Sequence, residues 1–264
     1  MYHLWLGMKT SQFYTGLVAD MYDDFVSYRA PIAFYANLIR NGGEPALELG
    51  CGTGNPLLDL VEAGLRVDGL DSSRDMLVKC EARAQARGLR VHLHEQEMQA
   101  FTLPTRYRTI FCAGASFMLL SDAGDAERTL QRIFHHLEPG GRAIIPLYIP
   151  PLSPEAENAT DQWRIRERVR PSDGATLRVG ERFHFDSPHQ MRVSTLRYEV
   201  IRDGAMVQEV ERRWLLRWYS QAQFRHLLHE AGFRSPRVLG EDGNPAYDDA
   251  PAFVFIALRP PVSA

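Results

Sequence analysis

The chain has 264 residues, of which 45% are hydrophobic and 24% charged, and 33 acidic against 30 basic side chains give a formal net charge of −3. These proportions are typical of folded globular proteins and exclude a disordered or fibrous chain. The near-neutral charge removes the main reason to expect a nucleic-acid partner. Because no apolar run approaches the roughly 20 residues that cross a bilayer, no membrane partner is expected either.

The cysteines Cys51, Cys80 and Cys112 form an odd set without Cys-x-x-Cys spacing. This pattern argues against a disulfide framework and a zinc site, so no metal is expected. A buried cysteine acts as a small hydrophobic side chain, and this is the role we expect for Cys51 and Cys112. The first twenty residues lack the basic start and cleavage site of a signal peptide, and a reducing cytoplasm is therefore the simplest location.

The amino-terminal part, residues 1–43, is predicted to be a helical segment that closes over a ligand. Tyrosine is frequent in it, at Tyr14, Tyr22 and Tyr28. Pro31 favours a helix start because a proline in the first turn lacks only a donor that the helix could not use. Residues 44–264 are predicted to form the main domain.

From residue 45 to 150, short apolar runs alternate with helical patterns. The predicted strands are 46–50, 65–70, 91–94, 109–113 and 142–147, and the predicted helices are 55–63, 73–87 and 125–137. Glycines at 64, 88, 140 and 141 stand where helices are expected to stop. The alternation predicts an α/β fold, a Rossmann-like doubly wound and mostly parallel sheet with helices on both faces.

The pattern changes after residue 151. Three long alternating runs, at 175–186, 191–202 and 206–219, are separated by turn sequences and predict an antiparallel three-stranded insert after strand five, at about residues 160–219. The insert is rich in arginine, but alternating charge on a strand is typical of a solvated face. Ser220 then favours a helix start, and residues 251–258 read as a final strand.

The most informative stretch is the sequence ELGCGTG at residues 48–54, a predicted strand end followed by alternating glycines. Glycine lets the backbone turn tightly and lets a ligand approach closely. Dinucleotide-binding folds have a Gly-x-Gly-x-x-Gly turn that holds a pyrophosphate, whereas Glu48 stands two residues before the first glycine here. A carboxylate at this place repels phosphate and suits a cation.

This stretch resembles the first motif of class I S-adenosylmethionine-dependent methyltransferases, and further motifs of the family follow in order up to Leu137–Gly141. The resemblance implies that Glu48, Gly50 and Gly52 line the cofactor site, and that Asp71, followed by Ser72, accepts hydrogen bonds from the ribose hydroxyls. Asp71 lies 21 residues after Gly50, a spacing that nicotinamide-dependent enzymes share.

The same resemblance assigns three further contacts to S-adenosylmethionine. Met76 corresponds to a residue that packs on the adenine, and Glu97 with Met98 corresponds to the acid and backbone group that meet its edge. Ala113 begins the segment after strand four, where amine-methylating relatives often have an Asn-Ser-Phe sequence. Ala115 stands in place of that asparagine.

In small-molecule relatives, such as the glycine and sugar-amine N-methyltransferases, a tyrosine and a cation from the amino-terminal region hold the methionine carboxylate. Tyr22 and Arg29 are the corresponding candidates in this chain. A guanidinium matches a carboxylate with two parallel hydrogen bonds, which makes arginine suitable for this role.

The resemblance implies in-line transfer of the methyl group of S-adenosylmethionine to a nitrogen or oxygen of a small molecule, with S-adenosylhomocysteine as product. A neutral amine needs no general base, whereas an oxygen acceptor does, and Tyr14, Tyr22, His184 and His189 are unranked candidates. For both histidines an exposed ring beside a turn is the simpler interpretation. The insert is expected to cover the substrate or to pair subunits in a homodimer.

Two other functions stay open at this stage. One is a nicotinamide (NAD)-dependent oxidoreductase, which shares the spacing of Asp71. The other is a non-catalytic scaffold that binds S-adenosylmethionine, which the replacement at Ala115 keeps open.

Overall fold

The computed structural model describes residues 13–26, 28–151, 162–240 and 243–261. Residues 1–12 of the predicted amino-terminal segment and residues 160 and 161 at the start of the predicted insert lie outside this range. The chain divides into two compact units. Unit 1 contains the described residues of 13–28 and 151–217, and unit 2 contains those of 29–150 and 218–261. The domain boundary expected at residues 43 and 44 stays a prediction.

The strands follow one another along both units. They are β1 (Ala46–Leu49), β2 (Val67–Asp71), β3 (Leu93–Glu95), β4 (Tyr107–Cys112), β5 (Leu137–Tyr148), β6 (Arg164–Val169), β7 (Thr176–Asp186), β8 (Met191–Arg202), β9 (Ala205–Arg217), β10 (Arg234–Leu239) and β11 (Ala252–Leu258).

The described helices lie before, between and after these strands along the chain. They are α1 (Leu17–Phe25), α2 (Ile32–Gly42), α3 (Leu57–Glu62), α4 (Arg74–Ala86), α5 (Ala123–His136) and α6 (Gln221–Glu230). Short 3-10 helices lie at Ser116–Leu119 and Ser187–His189. No described helix combines the length and the apolar character that crossing a membrane requires.

Unit 2 contains a seven-stranded sheet in the order β10-β11-β5-β4-β1-β2-β3. The pairs β1–β2, β1–β4, β2–β3 and β4–β5 are parallel, and β11 runs antiparallel to both of its neighbours. The prediction of a mostly parallel α/β sheet is confirmed. Parallel strands end at the same edge of a sheet, so the segments after β1, β2, β3 and β4 follow one edge.

The apolar residues of these strands explain the sheet. All four residues of β1 are buried, and Leu57, Leu77 and Phe111 belong to the core that surrounds it. The three cysteines are buried and unbridged, and the burial of Cys51 and Cys112 is the one expected for small hydrophobic side chains. Burial raises the pKa of Cys80 to about 12 and that of Cys51 well above the ordinary value, so both thiols are neutral near pH 7.

Local signals in the sequence set several helix ends. The Ser73 side chain accepts a hydrogen bond from the N–H of Met76 and caps α4. Ser220 and Gln223 form a reciprocal capping box at the start of α6. Gly64 and Gly88 have φ angles of 84° and 66° after α3 and α4, as expected for glycines that end helices.

Unit 1 contains a four-stranded antiparallel sheet in the order β6-β7-β8-β9. The three predicted strands are confirmed, and β6 is an additional edge strand. All six residues of β6 are exposed, and four of them are charged, so its sequence has no apolar face that would predict a strand. Charged side chains are a common protection of edge strands.

Helix α1 packs on one face of this sheet. Leu17, Val18 and Met21 are buried against Leu177 and Val200 of β7 and β8. An N–H of the Arg166 guanidinium donates to the carbonyl of Phe25, 3.2 Å away, where α1 ends. A helix from the first thirty residues and a sheet from the second half of the chain therefore share one small core.

Two further expectations about elements need correction. Strand β5 begins at Leu137, so residues 140 and 141 lie within a strand and not at a helix end. The glycines fit there because a Cβ at Gly141 would come 3.0 Å from the carbonyl oxygen of Arg108 in the adjacent strand. Strand β10 was not predicted, because Ser235 and Pro236 interrupt its apolar residues.

Candidate functional site

The glycine-rich turn after β1 is a sharp bend that requires its glycines. Gly50, Gly52 and Gly54 have φ angles of 73°, 53° and 95°, a region that other residues rarely adopt. The N–H of Gly50 donates to the carbonyl of Leu70 at 2.7 Å, which fixes the bend to β2. A Cβ on Gly50 would lie 2.8 Å from the Cβ of Ser116, so a side chain there has no room.

Asp71 ends β2 and faces this turn. One carboxylate oxygen accepts from the N–H of Gly52 and the other from the N–H of Ser73, each at 2.8 Å. Burial raises the pKa of Asp71, and the N–H groups of Ser73, Gly52 and Ser72 offset part of that rise. Each carboxylate oxygen can accept two hydrogen bonds, so both retain capacity for a ligand hydroxyl.

Glu48 is in a very different environment, although it lies near Asp71. Its side chain is fully buried, and neither oxygen has a hydrogen-bond partner within the described residues. Burial raises the pKa of Glu48 well above its ordinary value, and the charge of Asp71 raises it further. The N–H of Leu57 offsets a part of this rise without reaching hydrogen-bond geometry.

An unpaired buried carboxyl is costly, so Glu48 suits a cationic or hydrogen-bond-donating ligand. The two carboxyls together disfavour a phosphate group beside this turn. These hydrogen-bond acceptors therefore fit a positively charged nucleoside better than a pyrophosphate.

The segment after β3 carries Glu97 and Met98. The N–H of Gln96 donates to the carbonyl of Asp71 at 3.1 Å, which anchors the segment beside the second acid. The Cε of Met98 lies 3.6 Å from the position of a Cβ on Gly50, so this segment reaches the glycine-rich turn. The side chain of Glu97 accepts from Gln99 at 3.0 Å.

Two further predicted residues lie beside the turn. Met76 is buried on α4, and its Cε is 3.4 Å from the position of a Cβ on Gly52. Ala113 follows β4, and its carbonyl accepts from the Ser116 hydroxyl at 3.0 Å. The structure thus brings Glu48, Gly50, Gly52, Asp71, Met76, Met98 and Ala113 to one edge of the sheet. Their contacts with a cofactor stay predictions.

Ser116 is a residue of this edge that the sequence prediction left out of the site. It starts a 3-10 helix, and its hydroxyl lies 3.5 Å from the carbonyl of Gly50. The Ala-Ser-Phe sequence at residues 115–117 was the available signal, although Ala115 stands in place of the asparagine of the amine-methylating relatives.

Tyr22 and Arg29 fall in different units. Tyr22 lies on α1 in unit 1, with its ring centroid 5.7 Å from that of Tyr14. Arg29 is exposed at the start of unit 2. Their predicted role with a methionine carboxylate is untested.

The histidines near the hairpin turn of the insert are exposed, as the simpler interpretation predicted. His189 pairs with Asp186 through Nδ1 at 2.8 Å, and His184 lies on β7. Within the described residues, no group of three or more metal-ligating side chains is found.

The part of the chain that forms this site matches a known protein family. Residues 46–141, from β1 into β5, match the family model described as a methyltransferase domain. These residues contain the glycine-rich turn, Asp71, Glu97 and Ala113.

Curated relatives extend the match. The chain is 30% identical over 146 residues to a dTDP-3-amino-3,6-dideoxy-alpha-D-glucopyranose N,N-dimethyltransferase of Streptomyces fradiae, a match that covers 52% of this chain and 56% of the relative. It is 26% identical to a dTDP-3-amino-3,4,6-trideoxy-alpha-D-glucopyranose N,N-dimethyltransferase of Streptomyces venezuelae, with coverages of 82% and 90%. The alignment thus spans about half of the first relative.

A solved structure supports the same fold. A sugar N-methyltransferase from Streptoalloteichus superposes with a TM-score of 0.71 at 22% identity, covering 93% of this chain and 94% of that one. These comparisons bear out the resemblance to class I S-adenosylmethionine-dependent methyltransferases: residues 46–141 match a methyltransferase domain, and the solved structure has the same fold.

Proposed function

We propose that the protein transfers a methyl group from S-adenosylmethionine to an amino nitrogen of a small molecule, and that the acceptor is an amino sugar. The observation that carries the proposal is the pair of carboxyls on both sides of a bend without side chains, the fully buried Glu48 and the partly buried Asp71. The sugar-amine relatives support the acceptor class.

The residues at the sheet edge fit the cofactor by their chemistry. Asp71 would accept from the ribose hydroxyls, because its two oxygens are already oriented by backbone donors. Glu48 would provide an acceptor for the cationic end, since nothing described in the chain occupies its oxygens. Glu97 and Met98 would meet the adenine, and Gly50 and Gly52 would allow a close backbone approach.

When bound, S-adenosylmethionine supplies a methyl group that its sulfonium makes electrophilic. The protein then has to align the acceptor nitrogen and exclude water, and alignment alone is worth up to about 7–11 kcal/mol. A neutral amine has its own lone pair, so no described residue needs to remove a proton before transfer. This agrees with a site edge made of carboxyls, glycines, methionines and a serine rather than a histidine base.

Calorimetry with S-adenosylhomocysteine and with NAD tests the cofactor. We expect micromolar binding of the first and none of the second; the reverse result would identify an oxidoreductase. Transfer from a radiolabelled methyl donor tests the acceptor, with a dTDP-linked 3-amino sugar, glycine and a matched sugar that has hydroxyl in place of amine. Labelling of the amino sugar alone supports the proposal. Cofactor binding without transfer to any acceptor would support the scaffold.

The cellular location and the oligomeric state also belong to the proposal. We place the protein in the cytoplasm, since its three cysteines are unbridged. We also propose a homodimer formed through the antiparallel insert of unit 1, because its edge strand β6 leaves the apolar side chains of Ile165 and Val169 exposed. Sedimentation at micromolar concentrations tests the dimer, and a monomer over the whole range would reject it.

A further inference from the structure

The segment of residues 96–103 connects the proposed cofactor edge to the far end of α5. At its start, the N–H of Gln96 donates to the carbonyl of Asp71, and Met98 approaches Gly50. At its other end, the N–H of Leu103 donates to Nε2 of His136 at 3.0 Å, in a buried contact. The segment is therefore fixed at both ends.

Hydrogen bonds of one side chain also join the beginning of the segment to its end. The side chain of Gln96 accepts from the N–H of Thr102 at 2.7 Å and donates to the carbonyl of the same residue at 3.2 Å. Between them, Phe101 is fully buried, and its ring centroid lies 4.4 Å from that of His136. A change at His136 would therefore be transmitted to the part of the segment that carries Glu97 and Met98.

The hydrogen-bond partners of His136 allow one protonation state. Nε2 faces a backbone N–H, which can only donate, so this nitrogen must accept and carry no proton. Nδ1 lies 2.8 Å from the carbonyl of Arg132, which can only accept, so Nδ1 carries the proton. A doubly protonated ring would place two donors against each other at Leu103.

We infer that His136 is a positioning residue of the cofactor site, which holds the 96–103 segment in its binding shape only while the imidazole is neutral. The inference rests on the proposed function, because it assumes that Glu97 and Met98 meet the cofactor. The residue acts through the segment and is not itself in contact with the reacting groups.

The surroundings of the ring favour the neutral form. Burial lowers the pKa of His136, and the charges of Arg132, Arg106 and His135 lower it further, whereas the carbonyl of Arg132 raises it. These charged neighbours, from α5 and from the segment before β4, are all basic. Protonation is therefore expected below the ordinary histidine range, and it breaks the contact with Leu103.

Calorimetric titration of S-adenosylhomocysteine from pH 8 to pH 5 tests this inference on three full-length proteins. His136→Gln keeps an acceptor near the place of Nε2 but does not titrate, and His136→Phe keeps the ring without an acceptor. At pH 8 we expect wild-type affinity for His136→Gln and a loss of about threefold or more for His136→Phe. At pH 5 we expect the wild type to bind at least about threefold more weakly than His136→Gln.

His229→Gln is the matched control, because His229 is an exposed histidine on α6 and is not among the groups whose charge shifts the pKa of His136. It should follow the wild-type profile. The exchange protection of the Leu103 amide, measured without ligand, should fall with pH in the wild type and stay constant in His136→Gln. Parallel pH profiles for both proteins in both measurements would overturn the inference. Absence of S-adenosylhomocysteine binding at every pH would instead reject the proposed function. The exchange protection of the Leu103 amide would still test whether neutral His136 holds the 96–103 segment.

Discussion

The sheets of the two units use charge in opposite ways. In unit 1, charged side chains pair on an exposed face: Arg178 contacts Glu167 at 2.6 Å and Glu199 at 3.3 Å. In unit 2, the fully buried Glu48 and the partly buried Asp71 lie at adjacent strand ends. Glu48 has no hydrogen-bond partner in the described chain, and Asp71 accepts from two backbone N–H groups.

The ion pairs of unit 1 belong to a solvated surface, whereas the carboxyls of unit 2 are placed where a ligand can pair with them. An exposed pair contributes about 0–1 kcal/mol, because water and salt screen it and long side chains lose entropy. A buried carboxyl without a partner costs free energy in the absence of ligand. A ligand that pairs with it would offset that cost, so such a carboxyl indicates a binding site. Four substitutions test this interpretation.

The largest effect is expected at the bend between Glu48 and Asp71. Gly50→Ala should lower the free energy of unfolding by about 3 kcal/mol, because a left-handed φ costs about 1–2 kcal/mol and crowding against Ser116 adds to it. Gly64→Ala is the matched control, since its φ is 84° and nothing lies within 4 Å of its Cβ position. Urea denaturation of both variants measures the difference, and equal losses would mean that the contact with Ser116 is unimportant.

Asp71→Ala is expected to have the next largest effect. Binding of S-adenosylhomocysteine should weaken by about 2 kcal/mol, the typical loss for a hydrogen bond to a charged group. Asp75→Ala, four residues later on α4, should bind like the wild type. Calorimetry on folded protein decides between them, and an unchanged affinity for Asp71→Ala would remove this carboxylate from the site.

Glu48→Gln should change how stability depends on pH. The raised pKa means that the folded protein holds a proton which the unfolded chain releases above about pH 4.5. The unfolded state then binds fewer protons, so this group makes stability fall as pH rises, by at most about 1.4 kcal/mol per pH unit. The variant should lose this contribution.

Urea denaturation of the ligand-free protein between pH 5 and pH 8 measures that dependence. The difference in unfolding free energy between Glu48→Gln and the wild type should increase in favour of the variant as the pH rises. If the two curves stay parallel, the carboxyl is ionised or solvated in the folded protein, and the contrast between the two sheets is weaker than proposed.

The smallest effect is expected in unit 1. Arg178→Ala removes two ion pairs but should lower the unfolding free energy by about 0.5 kcal/mol, since the guanidinium is partly exposed. The loss should shrink further in 1 M salt, where screening is nearly complete. A loss as large as that of Gly50→Ala would show that the exposed pairs are structural.

Apart from β10, the unit 2 sheet could be predicted because its strands are apolar runs that end at glycines and acids. The turn at residues 50–54 and Asp71 follow from that pattern. Strand β6 was missed because its charged residues provide no apolar face, although its pairing with β7 supplies the hydrogen bonds.

The local environment of the site residues could not be predicted. Sequence spacing places Glu48 beside the turn, but its lack of hydrogen-bond donors depends on what α3 and β4 present to it. His136 received no role from the sequence, since its contact with Leu103 joins residues 33 positions apart. Partners that are distant in the chain leave no periodic signal.

The core of unit 1 has a consequence for how the protein is made. Helix α1 is synthesised early, whereas the strands that cover Leu17, Val18 and Met21 end at Arg217. At about 5–20 residues per second, the ribosome leaves this apolar helix without its native sheet for roughly 10–40 seconds. Nascent chains stalled before β8 should therefore recruit a holdase chaperone to their amino-terminal region, and chains released after β9 should not.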